Sequence, residues 1–257
     1  MGLFSNNRKP KQFVSTGNEH GKTLHKNLEF TALEQYKLIR ANLDFTLPGD
    51  EKCPIIGVTS AMRGEGKSTT AINLAYVFAE KGSKVLLIDA DLRIPSIAKK
   101  LRIPTSPGLT NLLIDRSGEM TGFQPYLLNN WYVLPSGNIP PNPSELLGSA
   151  KMKSILAKLR EMFDYIIIDL PPVNIVSDAV SISGVISGMI VVIREERTEK
   201  KELERCFRQL KLSNVHILGC VMNETKAGGG SYGKYKKYKY YKQDKYNQPY
   251  PEEESND

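Results

Sequence analysis

The chemistry of this chain is concentrated in three short stretches. In the first, Ala61-Met62-Arg63-Gly64-Glu65-Gly66-Lys67-Ser68-Thr69, two glycines let backbone amides close on an anion, a lysine adds positive charge, and two hydroxyls follow. An apolar run precedes it and an apolar-periodic segment follows, so the stretch opens a helix whose first amides face the anion. This is the setting of a phosphate-binding Walker A loop, with Ala61 standing where the pattern has glycine. Lys67 is expected to neutralise β- and γ-phosphate charge, and the Ser68 hydroxyl to ligate Mg²⁺. Arg63, Gly64, Glu65, Gly66, Lys67, Ser68 and Thr69 are the candidate nucleotide-binding residues, which implies ATP and Mg²⁺. The bland alternative, a glycine-rich turn without a nucleotide, explains neither the lysine nor the hydroxyl.

The other two stretches end apolar runs in acids. Val85-Leu86-Leu87-Ile88 leads into Asp89-Ala90-Asp91-Leu92-Arg93, and Ile166-Ile167-Ile168 into Asp169-Leu170-Pro171-Pro172. Side chains two apart on an extended backbone face the same way, so Asp89 and Asp91 can converge on one site. Asp169 resembles a Walker B acid. Mg²⁺ usually takes one or two carboxylates and fills the rest of its shell with phosphate oxygens and water, so one of three acids is surplus. We assign Asp91 and Asp169, with Ser68, to the metal, and Asp89 to general-base duty toward water or a substrate hydroxyl. The alternative is that Asp89 only caps a turn. Arg93 is expected to orient the acids or an incoming substrate.

These residues need a scaffold, and the hydropathy pattern supplies one. Apolar spacing predicts a helix over about 30–46, ended by Pro48-Gly49, then a strand at 55–59 and a helix at 67–81. Further strands are expected at 85–88, 131–134, 165–168, 189–193 and 216–222. Helices are expected near 95–101 and 108–114, from a Ser144 cap to about Met162, and at about 177–186 and 198–212. The strands are apolar without alternation, as in a sheet covered on both faces. The fold class is therefore α/β: a P-loop NTPase with an open, mostly parallel sheet and helices on both faces. Such sheets bind ligands at the carboxyl ends of their strands, where the three stretches fall. The expected organisation is a flexible N-terminus (1–27), a core domain (28–226, with a helix at 28–47) and a disordered tyrosine-rich tail (227–257).

Composition excludes several classes. With 40% hydrophobic and 25% charged residues the chain is an ordinary globular composition. No run approaches the ~20 apolar residues of a membrane span, and residues 1–11 lack the apolar core of a secretory signal. Cys53, Cys206 and Cys220 are too scattered for a disulfide or zinc framework, and Cys53 and Cys220, beside apolar runs, are expected to be buried. A cytoplasmic location is expected. The net charge of +7 comes mostly from the ends: residues 1–26 carry five basic residues against one acid, and residues 226–257 seven lysines against five acids. The near-neutral middle makes nucleic acid an unlikely partner.

Together the Walker A loop, the Asp-x-Asp-x-Arg motif at Asp89, Asp91 and Arg93, the Walker B acid Asp169, and the stretch Pro141-Asn142-Pro143-Ser144-Glu145-Leu146-Leu147 resemble the bacterial tyrosine kinases of capsule and exopolysaccharide synthesis. The related partition and septum-placement ATPases have an early loop lysine, where this chain has Met62; in that wider group an asparagine after the last strand contacts adenine, a place Asn223 fits. The resemblance implies autophosphorylation of the tail cluster Tyr232, Tyr235, Tyr238, Tyr240, Tyr241, Tyr246 and Tyr250. It also implies a homo-oligomeric ring, an octamer, assembled through a helical Glu-x-x-Arg-x-x-Arg motif, here Glu34, Lys37 and Arg40, with lysine in place of the first arginine. A transmembrane activator of the polysaccharide co-polymerase type, recruitment to the inner face of the membrane and an opposing tyrosine phosphatase are further implied. The competing reading is a partition-type ATPase switch whose lysine- and tyrosine-rich tail tethers it to a membrane or nucleic acid.

Overall fold

A computed structural model describes residues 25–225, apart from 48, 50 and 116. Seven strands form one sheet: β1 (Ile55–Ser60), β2 (Val85–Asp89), β3 (Gln124–Tyr126), β4 (Leu128–Leu134), β5 (Tyr165–Asp169), β6 (Gly188–Arg194) and β7 (Ile217–Asn223). Their order is β3-β4-β2-β5-β1-β6-β7, and every pairing is parallel except that of β3 with β4. The central strands are buried on both faces, and their side chains divide by the pleat. Ile55, Leu86, Ile88, Ile166 and Ile168 enter one apolar cluster, while Ile56, Val58, Val85, Leu87 and Ile167 enter the other.

Eight helices cover these faces among the described residues: α1 (Phe30–Thr46), α2 (Lys67–Glu80), α3 (Ile97–Leu101), α4 (Leu109–Ile114), α5 (Pro143–Leu147), α6 (Ala150–Arg160), α7 (Asp178–Ser181) and α8 (Lys200–Leu212). α2 is nearly all buried, with Ile72, Leu74, Val77 and Phe78 fully enclosed, and α1 packs across it through Leu33, Tyr36, Ile39 and Leu43.

Four local expectations are corrected. The helix expected from Ser144 to Met162 is two helices, because Gly148 ends α5 and Ser149 caps α6 by accepting from Met152 N at 3.1 Å. Asn142, not Ser144, holds the cap position of α5, and Pro143 starts the helix. The helix expected at 177–186 is one turn of α7 followed by a 3₁₀ turn, Ser183–Val185. β3, a three-residue edge strand containing Pro125, has too short a pattern to be seen in sequence, and proline is tolerated at such an edge. Cys53 and Cys206 are buried as free thiols, whereas Cys220 is exposed because it lies on β7, the sheet's other edge.

Candidate active site

Strand order builds the site. β5 lies between β1 and β2, so the loops leaving three adjacent parallel strands meet at one end of the sheet. Register aligns them: Asp169 is paired with Val58 on one side and Asp89 on the other. The backbone locks the ends together, with Ala90 N donating to Asp169 O at 2.9 Å and Leu170 N to Val58 O at 2.9 Å.

At the centre is Lys67, the first residue of α2. Its ammonium lies 2.8 Å from Asp91 Oδ2, 3.2 Å from Asp169 Oδ1 and 3.3 Å from Ser68 Oγ. Burial works against that charge, but Asp169 and Asp91 outweigh it and hold the lysine above its ordinary pKa. Asp169 is fully buried; burial raises its pKa, with Lys67 and the nearby Ser68 hydroxyl favouring the ionised form. Its Oδ2 has no hydrogen-bond partner.

Asp89 lies just behind. Its Oδ1 accepts from Asp91 N at 3.3 Å and its Oδ2 from Ser96 N and Ile97 N at 3.1 and 3.0 Å, so it shapes the loop between β2 and α3. Burial, then the neighbouring Asp169, push its pKa up to about 7, against the bond from Ile97. The turn-capping role is thus present in the geometry, alongside a carboxyl poised to exchange a proton near neutrality. Lys67, Ser68, Asp91 and Asp169 converge directly, and Asp89 joins them through the loop.

The phosphate loop itself is braced. Gly64 and Gly66 take φ of +78° and +97°, and a Cβ on Gly66 would stand 2.0 Å from Asn223 Nδ2. Asn223 donates to Glu65 O at 3.1 Å, which places the residue expected at adenine directly against the loop backbone. The Glu65 carboxylate turns inward, accepting from Met62 N at 2.9 Å and from the Thr198 hydroxyl. Its part in the site is to hold the loop, while Arg63 stays exposed. Thr69 Oγ1 accepts from Lys100 Nζ at 3.2 Å, and burial lowers that lysine's pKa.

Sequence reasoning missed Lys100, Arg194 and Arg197. Arg194 Nη1 reaches Gly64 O at 3.4 Å, and the Arg197 guanidinium would lie 3.3 Å from a Cβ on Gly64. The available signal was position, since both arginines leave the carboxyl end of β6, the strand beside β1. A cleft of about 330 Å³, lined by Met62, Arg63, Glu65, Ile175, Arg197, Glu199 and Glu202, opens next to the loop.

The residues fit Mg²⁺. An orphaned buried oxygen on Asp169 and an adjacent Ser68 hydroxyl leave ligand capacity beside the phosphate loop. Mg²⁺ draws most of its shell from phosphate oxygens and water, so one or two such side chains suffice.

On α1, Lys37 pairs with Glu34 at 3.4 Å and with Glu80 of α2 at 3.6 Å, and Arg40 Nη1 donates to Val77 O. Lys37 and Arg40 thus reach α2 of the same chain while Glu34 pairs with Lys37 on α1 itself, and Phe30, Leu38 and Phe45 are the exposed large apolar residues of the helix. The seven tail tyrosines lie outside the described residues.

A family model for the AAA domain matches residues 53–217. Tyrosine-protein kinase YwqD of Bacillus subtilis (strain 168) is 41% identical over 193 residues, spanning 75% of this chain and 81% of that protein. The chain belongs to the bacterial tyrosine-protein kinases. Solved structures agree. The chimerical protein CapA2B2 superposes with a TM-score of 0.73 at 30% identity, over 81% of this kinase and 91% of that chain. The kinase domain of Escherichia coli tyrosine kinase ETK does so with 0.73 at 26% identity, over 88% and 89%. The fold, with its mostly parallel sheet, is that of these kinase structures.

Proposed function

We propose that this kinase transfers the γ-phosphoryl group of ATP to tyrosine hydroxyls of its own C-terminal cluster, and thereby regulates capsule or exopolysaccharide synthesis and export. The observation that carries this reading is Lys67 held among Asp91, Asp169 and Ser68 at the start of α2, beside a glycine loop with two positive φ angles. Loop amides and Lys67 hold the β- and γ-phosphates, for which the lysine exchanges its carboxylate partners for phosphate oxygens. Ser68, Asp91 and Asp169 hold Mg²⁺, which supplies charge neutralisation on the transferring phosphate. The phenol oxygen bonds to the γ-phosphorus as the bond from phosphorus to the β–γ bridging oxygen breaks. ADP leaves, and Asp89 takes the phenol proton.

The tail suits an acceptor. Seven of the twelve tyrosines fall at 232–250, among lysines and glycines, and flexible tethering raises their effective concentration at an acidic, phosphate-loaded site. A ring of copies and a separate transmembrane activator complete the proposal, with recruitment from the cytoplasm to the membrane's inner face and reversal by a tyrosine phosphatase. Resemblance to a chimerical protein bearing the name CapA2B2 supports such a second component.

Intact-mass spectrometry of phosphatase-treated chain with ATP and Mg²⁺ tests the reading. Successive additions of ~80 Da on residues 232–250, absent in Lys67→Met, are expected. No addition even with the activator's cytoplasmic segment overturns it in favour of a partition-type ATPase switch.

A further inference from the structure

Beyond the acids that bind metal and proton lies a fourth, Asp178, which starts α7 and is fully buried. An isolated carboxylate at such a place costs several kcal/mol, so it must be paired. It is: Arg93 Nε donates to Asp178 Oδ2 at 2.8 Å and Nη2 to Oδ1 at 3.0 Å, a two-pronged bond. Ser144 of α5 donates to the same carboxylate and lies 3.4 Å from Arg93 Nη2. Two short helices distant in sequence, α5 and α7, thus close on the guanidinium that follows β2.

Its placement is one-sided. Across the sheet the order β4-β2-β5-β1-β6-β7 puts the phosphate loop, Arg194 and Asn223 on β1, β6 and β7. Arg93 follows β2, on the other side of Asp169. Asp91 divides the two sides, with Oδ2 on Lys67 and Oδ1 accepting from Ile94 N at 3.0 Å. The Arg93 side chain is 40% exposed, and its Nη1 pairs with no described residue. A guanidinium anchored from behind and open in front is a fixed binding plane, since a planar fork loses little freedom when it engages a further group.

We infer that Asp178, with Ser144, is a positioning residue that fixes Arg93 on the acceptor side of the site, where its guanidinium receives the tyrosine-bearing segment. A phenol ring presented to that plane gains a cation–π contact. This role rests on the tyrosine-kinase reading. It adds a residue that acts through Arg93 and touches neither nucleotide nor metal.

The test uses the full chain with its seven tail tyrosines changed to phenylalanine, a separate peptide of residues 227–257 as acceptor, and the activator segment present. Asp178→Asn keeps the shape and removes the charge. It is expected to raise the KM for peptide about tenfold, with ATP affinity by fluorescent-nucleotide titration within about twofold of the parent. Arg93→Ala should do the same, and Arg93→Ala/Asp178→Asn should be no worse than Arg93→Ala alone, because both act through one group. The double variant also guards against misfolding, as it leaves no buried carboxylate without its guanidinium partner. An unchanged peptide KM in Asp178→Asn, an equal loss of ATP affinity, or additive losses in the double variant would each overturn the positioning role. No transfer by the parent chain overturns the kinase reading and this role with it, an outcome distinct from the other three.

Discussion

Asp89, the proposed base, would serve stability and chemistry in opposite directions. Its carboxyl is enclosed, borders Asp169 and has its pKa pushed from 3.8 up to about 7. An acid whose folded pKa exceeds its unfolded value binds the proton more tightly when folded. Its contribution to stability is therefore full below about pH 4 and is lost as pH rises to about 7. The base function needs the ionised form, so phosphoryl transfer should climb over the upper part of the same window. Asp89→Asn is predicted to lower kcat by ~10²–10⁴-fold and to remove both the inflection near neutrality and the matching decline in melting temperature. A pH–rate profile beside thermal melts at pH 4 to 8 reads both; a variant keeping the inflection would return Asp89 to a turn cap alone. The Lys67 site makes a related point, since its two carboxylate bonds, to Asp91 and Asp169, come from residues distant in sequence that only strand order unites.

Among the elements, the break between α5 and α6 matters most for the site. The sequence pattern made Ser144 the cap of a single helix reaching about Met162. In the structure Ser144 is the second residue of a short α5 that ends at Gly148, and its hydroxyl donates to Asp178 of α7. Ser149→Ala removes the side-chain cap of α6 and is expected to cost about 1 kcal/mol, or about 2–4 °C in melting temperature. Calorimetry of this variant checks the boundary, and an unchanged melt would mean that α6 is not capped there. α1 tells a similar story. Glu34, Lys37 and Arg40 lie along one stripe as their spacing implies, but Lys37 and Arg40 engage Glu80 and Val77 of α2, and Glu34 pairs with Lys37. A ring contact made by α1 would therefore also draw on its exposed Phe30, Leu38 and Phe45.

For the whole molecule, the charge distribution makes a prediction that no single residue carries. The tail has seven lysines against five acids, and each phosphotyrosine adds about −1.5 to −2 charges, so several modifications turn it from basic to strongly acidic. On the proposed function, an acidic tail would be repelled by an acidic site, and tails brought together in an assembly would repel one another. Phosphatase-treated chain is expected to assemble into a larger species than fully phosphorylated chain, measured by light scattering at matched concentration. Equal masses would remove charge as the lever of assembly.

Much of this protein was determined locally. Uninterrupted apolar runs at 85–88 and 165–168 made buried parallel strands legible, and Gly64, Gly66 and Lys67 named a phosphate loop, because each signal lies within a few residues. Asp89, Asp91 and Asp169 were readable as acids at strand ends for the same reason. The order that sets β5 between β1 and β2, the inward turn of Glu65 and the approach of Arg194 and Arg197 to Gly64 were not legible. Nor was the bond of Arg93 to Asp178, 85 positions apart. Spacing along a chain reports which residues share a face. Which distant strand or loop meets that face is decided by packing two apolar clusters on either side of one twisted sheet, and only the tertiary structure holds that information.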